Sequence, residues 1–240
     1  MELKVSTFSS LGRATRIYSY KTQSIHHLMS DNQLRTFLLL EWSDKVMDIK
    51  SNVILEDLEI YLSEKIENLR LDIFKDKGSG KTYELYTNFL VTIDKGADKE
   101  YIAISVKNSS NLSKKNTIEK LEIERRYWNK RYIKFYIITD KELNREEVNN
   151  INWCRETLID KSVLNKDDLS KELLVFIKKH KDELLNEILD LFDDINNLKV
   201  GTSLFIFRYL IAIKKIKVNM KEKINIDKVI SNIVEFKGAV

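Results

Sequence analysis

The sequence predicts an α/β protein of two domains, residues 1–153 and residues 154–240, the second smaller and largely helical. Two observations carry that expectation. Within residues 84–107, two alternating runs rich in β-branched and aromatic residues flank Asp94-Lys-Gly-Ala-Asp-Lys99, the pattern of a β-hairpin. Beyond about residue 165 the pattern changes to three successive helical periodicities followed by two short strand-like pieces.

At 240 residues the chain can bury a sizeable core. Its 43% hydrophobic and 32% charged residues are those of a globular protein. With 41 Lys and Arg against 37 Asp and Glu, the net charge is +4, so any case for nucleic acid must come from local charge. No apolar run reaches the roughly 18 residues of a membrane span, and Met1-Glu-Leu-Lys4 opens no apolar signal segment. The single cysteine, Cys154, excludes an intramolecular disulfide and suits a reducing cytoplasm.

Residues 1–29 read as irregular and basic. Arg13 and Arg16 there fit either a DNA-contacting arm or a solvated terminal segment. His26 and His27 point oppositely on an extended chain and lack a third ligand at useful spacing, so no metal site is expected from them. A helix is predicted over residues 31–42. Ser30 or Asp31 serves as its N-cap, and Leu34, Phe37, Leu38 and Glu41 fall at i, i+3, i+4 and i+7. Gln33 lies in its first turn, able to look towards a sheet that the helix covers. Residues 46–49 and 53–55 read as strand pieces, and residues 56–71 as a charged helix. Gly78-Ser-Gly-Lys-Thr82 imitates the end of a phosphate-binding loop, but Lys75 stands where the motif needs glycine, so a plain loop is expected.

Period-two geometry then groups side chains on the hairpin. Asn88 shares a face with Tyr86 on the first arm, and Ser105 with Lys107 on the second, so an amide, a hydroxyl and an amine converge. That is the skeleton of PD-(D/E)xK nucleases, with neutral residues at both acidic positions. A long helix follows over residues 115–131, with Ile118, Leu121 and Trp128 on its buried side and Glu122 and Arg126 paired at i, i+4. From Lys107 to Lys134 nine basic residues, among them Lys114, Lys115, Arg125 and Arg126, face three acidic ones, a local excess of +6. Such an excess beside the candidate site fits phosphate contacts or a solvated helix face. A core strand over residues 133–139 comes next, and Thr139-Asp-Lys-Glu142 has capping-box spacing for a further helix. Helices over residues 169–180, 182–198 and 202–213, then strands over residues 215–219 and 223–226, outline a winged helix. Its third helix is nearly all apolar except Arg208, which fits a buried core helix of a protein-binding module at least as well as a DNA-reading helix.

Several blocks together resemble a known family. His26-His-Leu-Met-Ser-Asp31, Phe37-Leu-Leu-Leu-Glu-Trp42, Val46-Met-Asp-Ile49, Thr87-Asn-Phe-Leu-Val91, Ile104-Ser-Val-Lys107 and above all Thr117-Ile-Glu-Lys-Leu-Glu-Ile-Glu-Arg-Arg-Tyr-Trp128 resemble TnsA, the endonuclease subunit of heteromeric, Tn-seven-type cut-and-paste transposases. The resemblance spans residues 12–153. It implies an α/β restriction-endonuclease-like (PD-(D/E)xK) N-terminal domain with a smaller winged-helix-like C-terminal domain for partner or DNA contact. It also implies a bacterial cytoplasmic setting and hydrolysis at the 5′ ends of a transposon in double-stranded DNA. The partners implied are a TnsB-like transposase and a TnsC-like ATPase. In the family a Glu and an Asp hold two Mg²⁺ ions, with a residue-x-Lys on the next strand. Carried over, these positions are Gln33, Asn88 and Ser105-x-Lys107. Mg²⁺ is a hard cation that carboxylates bind best, so weak or absent binding is expected here, with cleavage lost or weakened. The alternative role is a non-catalytic subunit that docks on DNA, positions the TnsB-like protein and recruits the TnsC-like one.

Overall fold

The structure, a computed structural model of the chain, describes residues 13–58 and 83–236, together with Phe74 and Gly78. The helix read at residues 56–71 lies outside the described residues beyond Leu58, as does the loop at residues 78–82 beyond Gly78. The chain forms two units, Met1–Leu143 and Asn144–Val240. This division lies earlier than the boundary placed at Trp153, because Trp153 sits inside a continuous helix that packs within the second unit.

The first unit opens with a small hairpin, β1 (Thr15–Tyr18) paired antiparallel with β2 (Ile25–Leu28). The segment expected to be irregular is therefore ordered from Thr15 on. Its turn is closed by Ser19 N–H donating to Ser24 O at 2.9 Å, with Gln23 in the left-handed region at φ 54°. Helix α1 (Asp31–Trp42) has the predicted bounds. Ser30 Oγ accepts from Gln33 N, and Phe37, Leu38 and Glu41 are buried. The buried Glu41 accepts the Tyr20 N–H at 2.9 Å and so ties the hairpin turn to α1.

The two strand pieces after α1 are one strand, β3 (Val46–Ile54). It pairs antiparallel with β4 (Tyr86–Asp94), which pairs antiparallel with β5 (Lys99–Val106), as the sequence pattern requires. Gly96, at φ 87°, turns β4 into β5, and its N–H is taken by Asp94 Oδ1 at 2.7 Å. Helix α2 (Lys115–Lys130) then crosses over to β6 (Lys134–Ile138), which lies parallel to β5, so the sheet order is β3-β4-β5-β6. Parallel neighbours need such a crossover.

Each face of this sheet buries one helix. Phe37 of α1 packs with Leu28, Phe89, Val91 and Ile104 on one side, while Ile123, Tyr127 and Trp128 of α2 pack with Leu85 and Ala103 on the other. Ile118, expected inside, is 51% exposed; the inward face of α2 instead carries two acids, Glu119 and Glu124. Thr139 and Glu142 do bond reciprocally, the carboxylate accepting Thr139 N–H at 2.7 Å, but they close a turn rather than open a helix.

The second unit begins with α3 (Arg145–Ile159), capped by Asn144 Oδ1 accepting from Glu147 N at 2.9 Å. Helices α4 (Lys166–Lys179), α5 (Leu185–Ile195) and α6 (Thr202–Ala212) follow. The final hairpin is β7 (Lys217–Val218) with β8 (Val234–Glu235), so residues 223–226 are not the returning strand. Residues 226–231 run antiparallel beside residues 181–186 instead, through Leu185 N to Lys228 O and Ile230 N to Glu183 O, each 3.0 Å. Helix α6 is the core of the unit and packs on α3, α4 and α5. Asp193 of α5 caps it, accepting Gly201 N–H and Ser203 N–H at 2.8 Å each. Arg208, the one charged residue of α6, is committed to α3: its Nε donates to Trp153 O at 3.0 Å and its guanidinium pairs with Glu156 at 2.9 Å. Asn150 of α3 likewise donates to Met220 O and Glu222 O.

Candidate active site

The β4–β5 ladder ends at Phe89 and Ile104. Beyond it the Asn88 side chain takes over the ladder's role, its Oδ1 accepting the Val106 N–H at 2.6 Å and standing 3.4 Å from Ser105 Oγ. Lys107 Nζ donates to Ser105 Oγ at 3.0 Å. The three residues that strand parity brings to one face are thus joined in one chain of contacts. Ser105 is fully buried, and burial pulls the Lys107 ammonium below its ordinary range, against the opposing pull of the nearby Glu124 carboxylate.

Glu124 is the site residue that sequence periodicity passed over. It sits on α2 with no solvent exposure. Trp128 Nε1 donates to Thr87 Oγ1 at 2.7 Å, and Thr87 Oγ1 donates to Glu124 Oε2 at 3.0 Å, while Oε1 has no hydrogen-bond partner. The signal was present in the spacing, since Leu121, Glu124 and Trp128 stand at i, i+3 and i+7 and so put an acid on the buried stripe. Burial pushes its carboxyl up, more strongly than Lys107 and Lys120 pull it down. The unfolded carboxyl releases its proton near pH 4.3 (about the free value), whereas the folded one holds it to higher pH. In that interval the unfolded state binds fewer protons, so this group lowers stability as pH rises. Glu124→Gln keeps the shape and an acceptor for Thr87. Urea midpoints should therefore shift in its favour progressively above that pH, and a difference independent of pH would contradict the assignment.

Gln33, 6% exposed, is turned back on its own N-terminal turn, where its Oε1 accepts the Met29 N–H at 2.5 Å. The surrounding turn of α1 shares a cavity of about 460 Å³ with the end of β5, lined among others by Asn32, Arg35, Lys107 and Asn108. The first turn of α1 and the end of β5 therefore line one cavity with Lys107, while the Gln33 side chain bonds within its own turn.

The basic residues expected to meet DNA differ in their freedom. Arg13, Arg16, Lys114 and Lys115 are exposed. Arg125 and Arg126 both close on Glu122, at 2.7 and 2.6 Å, and hold its carboxyl down to about 2. Elsewhere, His26 is a structural residue bonded to Ser51 Oγ and Thr22 Oγ1. Cys154 is buried, which pushes its thiol up to about 12 and leaves it unreactive.

Comparison with known proteins gives this geometry a family. Residues 43–140 match the model "TnsA-like endonuclease N terminal" and residues 142–220 match "TnsA endonuclease C terminal". The Escherichia coli protein "Transposon Tn7 transposition protein TnsA" is 32% identical over 233 residues, covering 94% of this chain and 81% of that protein. The chain belongs to the TnsA endonuclease family. The first matched region ends at residue 140 and the second begins at residue 142, close to the division between the structural units at Leu143 and Asn144. No helix among the described residues is long and apolar enough to cross a membrane.

The donor set at the positions expected to hold metal is neutral. Two hard divalent ions call for carboxylate oxygens. Gln33 and Asn88 offer neutral carbonyl oxygens, and both already accept a backbone N–H. The third contact, Ser105 Oγ, faces an amine. Among the described residues no cluster of three or more His, Cys, Asp or Glu side chains could hold a metal ion. The residues present do not fit a pair of Mg²⁺ ions.

Proposed function

We propose that this chain is the TnsA-type subunit of a transposase whose own cleavage of the 5′ transposon strands is lost or severely weakened, while its docking role is kept. What supports this reading is the pair Gln33 and Asn88, amides at the two positions where the family resemblance calls for metal-binding carboxylates, with Asn88, Ser105 and Lys107 joined by contacts on one strand face. Amide replacement removes two negative charges and leaves shape and backbone contacts intact, so folding and DNA approach persist while hydrolysis fails. Lys107 remains in position to stabilise charge on a phosphate. The alternative of a purely architectural subunit, which positions a TnsB-like transposase and recruits a TnsC-like ATPase, is the limit of the same reading with no residual cutting.

The surface that would hold duplex DNA is centred on the exposed Lys114 and Lys115 at the start of α2, with Arg13 and Arg16 as further contacts. Arg125 and Arg126 contribute less, because Glu122 already neutralises part of their charge. For the second unit, helices α4, α5 and α6 with β7–β8, and residues 181–186 lying beside 226–231, support a winged-helix-like arrangement. The burial of α6 and the engagement of Arg208 favour partner contact over groove reading. Lys114→Ala/Lys115→Ala is expected to weaken binding of a labelled duplex about tenfold and to lower the salt slope by about two. Unchanged affinity and slope would remove the start of α2 from the DNA contact.

A further inference from the structure

We infer that the cavity beside the neutralised site is a metal-independent clamp for a DNA phosphodiester. The inference rests on the docking role proposed above and names how that site meets its ligand. Two cations reach the cavity, Arg35 from α1 and Lys107 from the end of β5, and both are held by neutral oxygens: Arg35 Nη1 stands 3.4 Å from Asn32 Oδ1, and Lys107 Nζ 3.0 Å from Ser105 Oγ. Three amides line it as well, Asn32, Asn108 and Asn111.

Two of those amides are oriented by their contacts. Asn108 Oδ1 accepts from Ser110 N and Ser110 Oγ, at 3.1 and 2.9 Å, and Asn32 Oδ1 faces Arg35. Their oxygens are occupied, which leaves their NH₂ groups to donate. A pocket lined by cations and amide N–H donors selects an acceptor-rich anion, and a phosphodiester with two non-bridging oxygens is the anion that duplex DNA presents. The one lining carboxylate is Asp31, against the two cations. With carboxylates at positions 33 and 88 the same region would carry more negative charge than positive, and a phosphate could enter only with a metal cation to offset it. The amides remove both of those negative charges, so entry needs no metal to offset them.

The test uses the full chain and a fluorescein-labelled duplex oligonucleotide, followed by anisotropy in EDTA and in Mg²⁺ at matched ionic strength. The parent chain should bind equally, within about twofold, in both, since its contacts are counterion-releasing ones. Gln33→Glu/Asn88→Asp should bind about tenfold more weakly in EDTA and recover in Mg²⁺. Arg35→Ala/Lys107→Ala should lose about tenfold and about two units of salt slope. Arg35→Gln, which keeps most of the side chain, should lose about threefold and serves if the double variant fails a circular-dichroism check of folding. Binding by the parent that needs Mg²⁺, or affinity indifferent to Arg35 and Lys107, overturns the clamp and leaves the docking role standing. Failure of the parent to bind duplex at all overturns both. Inorganic phosphate is the second probe. If it raises the melting temperature of the parent but not of Arg35→Gln, while duplex affinity is the same in both, the cavity takes free phosphate and the DNA assignment is wrong.

Discussion

Gln33→Glu/Asn88→Asp should turn a chain with no measurable Mg²⁺-dependent cutting into one that nicks transposon-end DNA, assayed with TnsB-like and TnsC-like partners present. The expected rise is about three orders of magnitude or more, because the change restores charge at the reacting phosphate rather than one peripheral contact. The physical basis is the economy of the substitution. Position 88 already meets Ser105 and Val106, and position 33 already lies in the first turn of a capped helix, so the carboxylates would arrive at side-chain positions of unchanged length. The backbone donors Met29 N–H at position 33 and Val106 N–H at position 88 keep their acceptors, because a carboxylate accepts those bonds at least as well as an amide oxygen. Strand cleavage resolved on a denaturing gel checks the result. A folded double revertant that binds DNA and does not cut would show that these two positions are not the metal positions of this chain.

The second large effect is on stability. Phe37→Ala should cost about 3–5 kcal/mol, the range for a fully buried aromatic. Phe37 is wholly buried, packs among Leu28, Phe89, Val91 and Ile104, and holds its ring 4.8 Å from that of His26. It lies one turn beyond Gln33 on the same helix, so the contact that anchors α1 to the sheet also places the site. A loss of that size is a large share of the stability of an ordinary domain. It should show as a fall in the urea midpoint and as faster hydrogen exchange through α1. A shift worth less than about 1 kcal/mol, the typical cost of an ordinary substitution, would mean that α1 is not held by this core.

What the sequence discloses follows from the range of the interactions concerned. Helix α1 is legible because its cap and its apolar stripe are local: Ser30, Phe37 and Leu38 state it within nine residues. The β4–β5 hairpin is legible for the same reason, and with it the meeting of Asn88, Ser105 and Lys107, since period two and a short turn fix which side chains share a face. The hairpin β1–β2 is not, because its four-residue strands show no glycine turn and depend on Glu41, far along the chain, to hold Tyr20. The pairing of β7 with β8 is hidden likewise: the nearer residues 223–226 match a strand pattern, yet the sheet forms with Val234 and Glu235 while residues 226–231 lie against the start of α5. The division at Leu143 and Asn144 escapes a composition argument because α3 packs on α6, a partner far along the chain.

In the site, two features needed three dimensions. A glutamate in a charged helix reads as solvent-facing, and only the sheet packed against α2 makes Glu124 a buried acid facing Thr87. The direction of Gln33 is likewise a matter of which donor is nearest, and Met29 N–H wins. Family membership, by contrast, is carried by residues spread over most of the chain, which is why the sequence blocks and the two matched regions agree.

With amides at positions 33 and 88, the site of this TnsA-family chain should be unable to hold Mg²⁺. Calorimetric titration of Mg²⁺ into the chain and into Gln33→Glu/Asn88→Asp tests it most directly. The chain should show no saturable binding, and Gln33→Glu/Asn88→Asp should show saturable binding. Saturable Mg²⁺ binding by the unaltered chain, abolished when Asn88 or Gln33 is replaced by alanine, would contradict it.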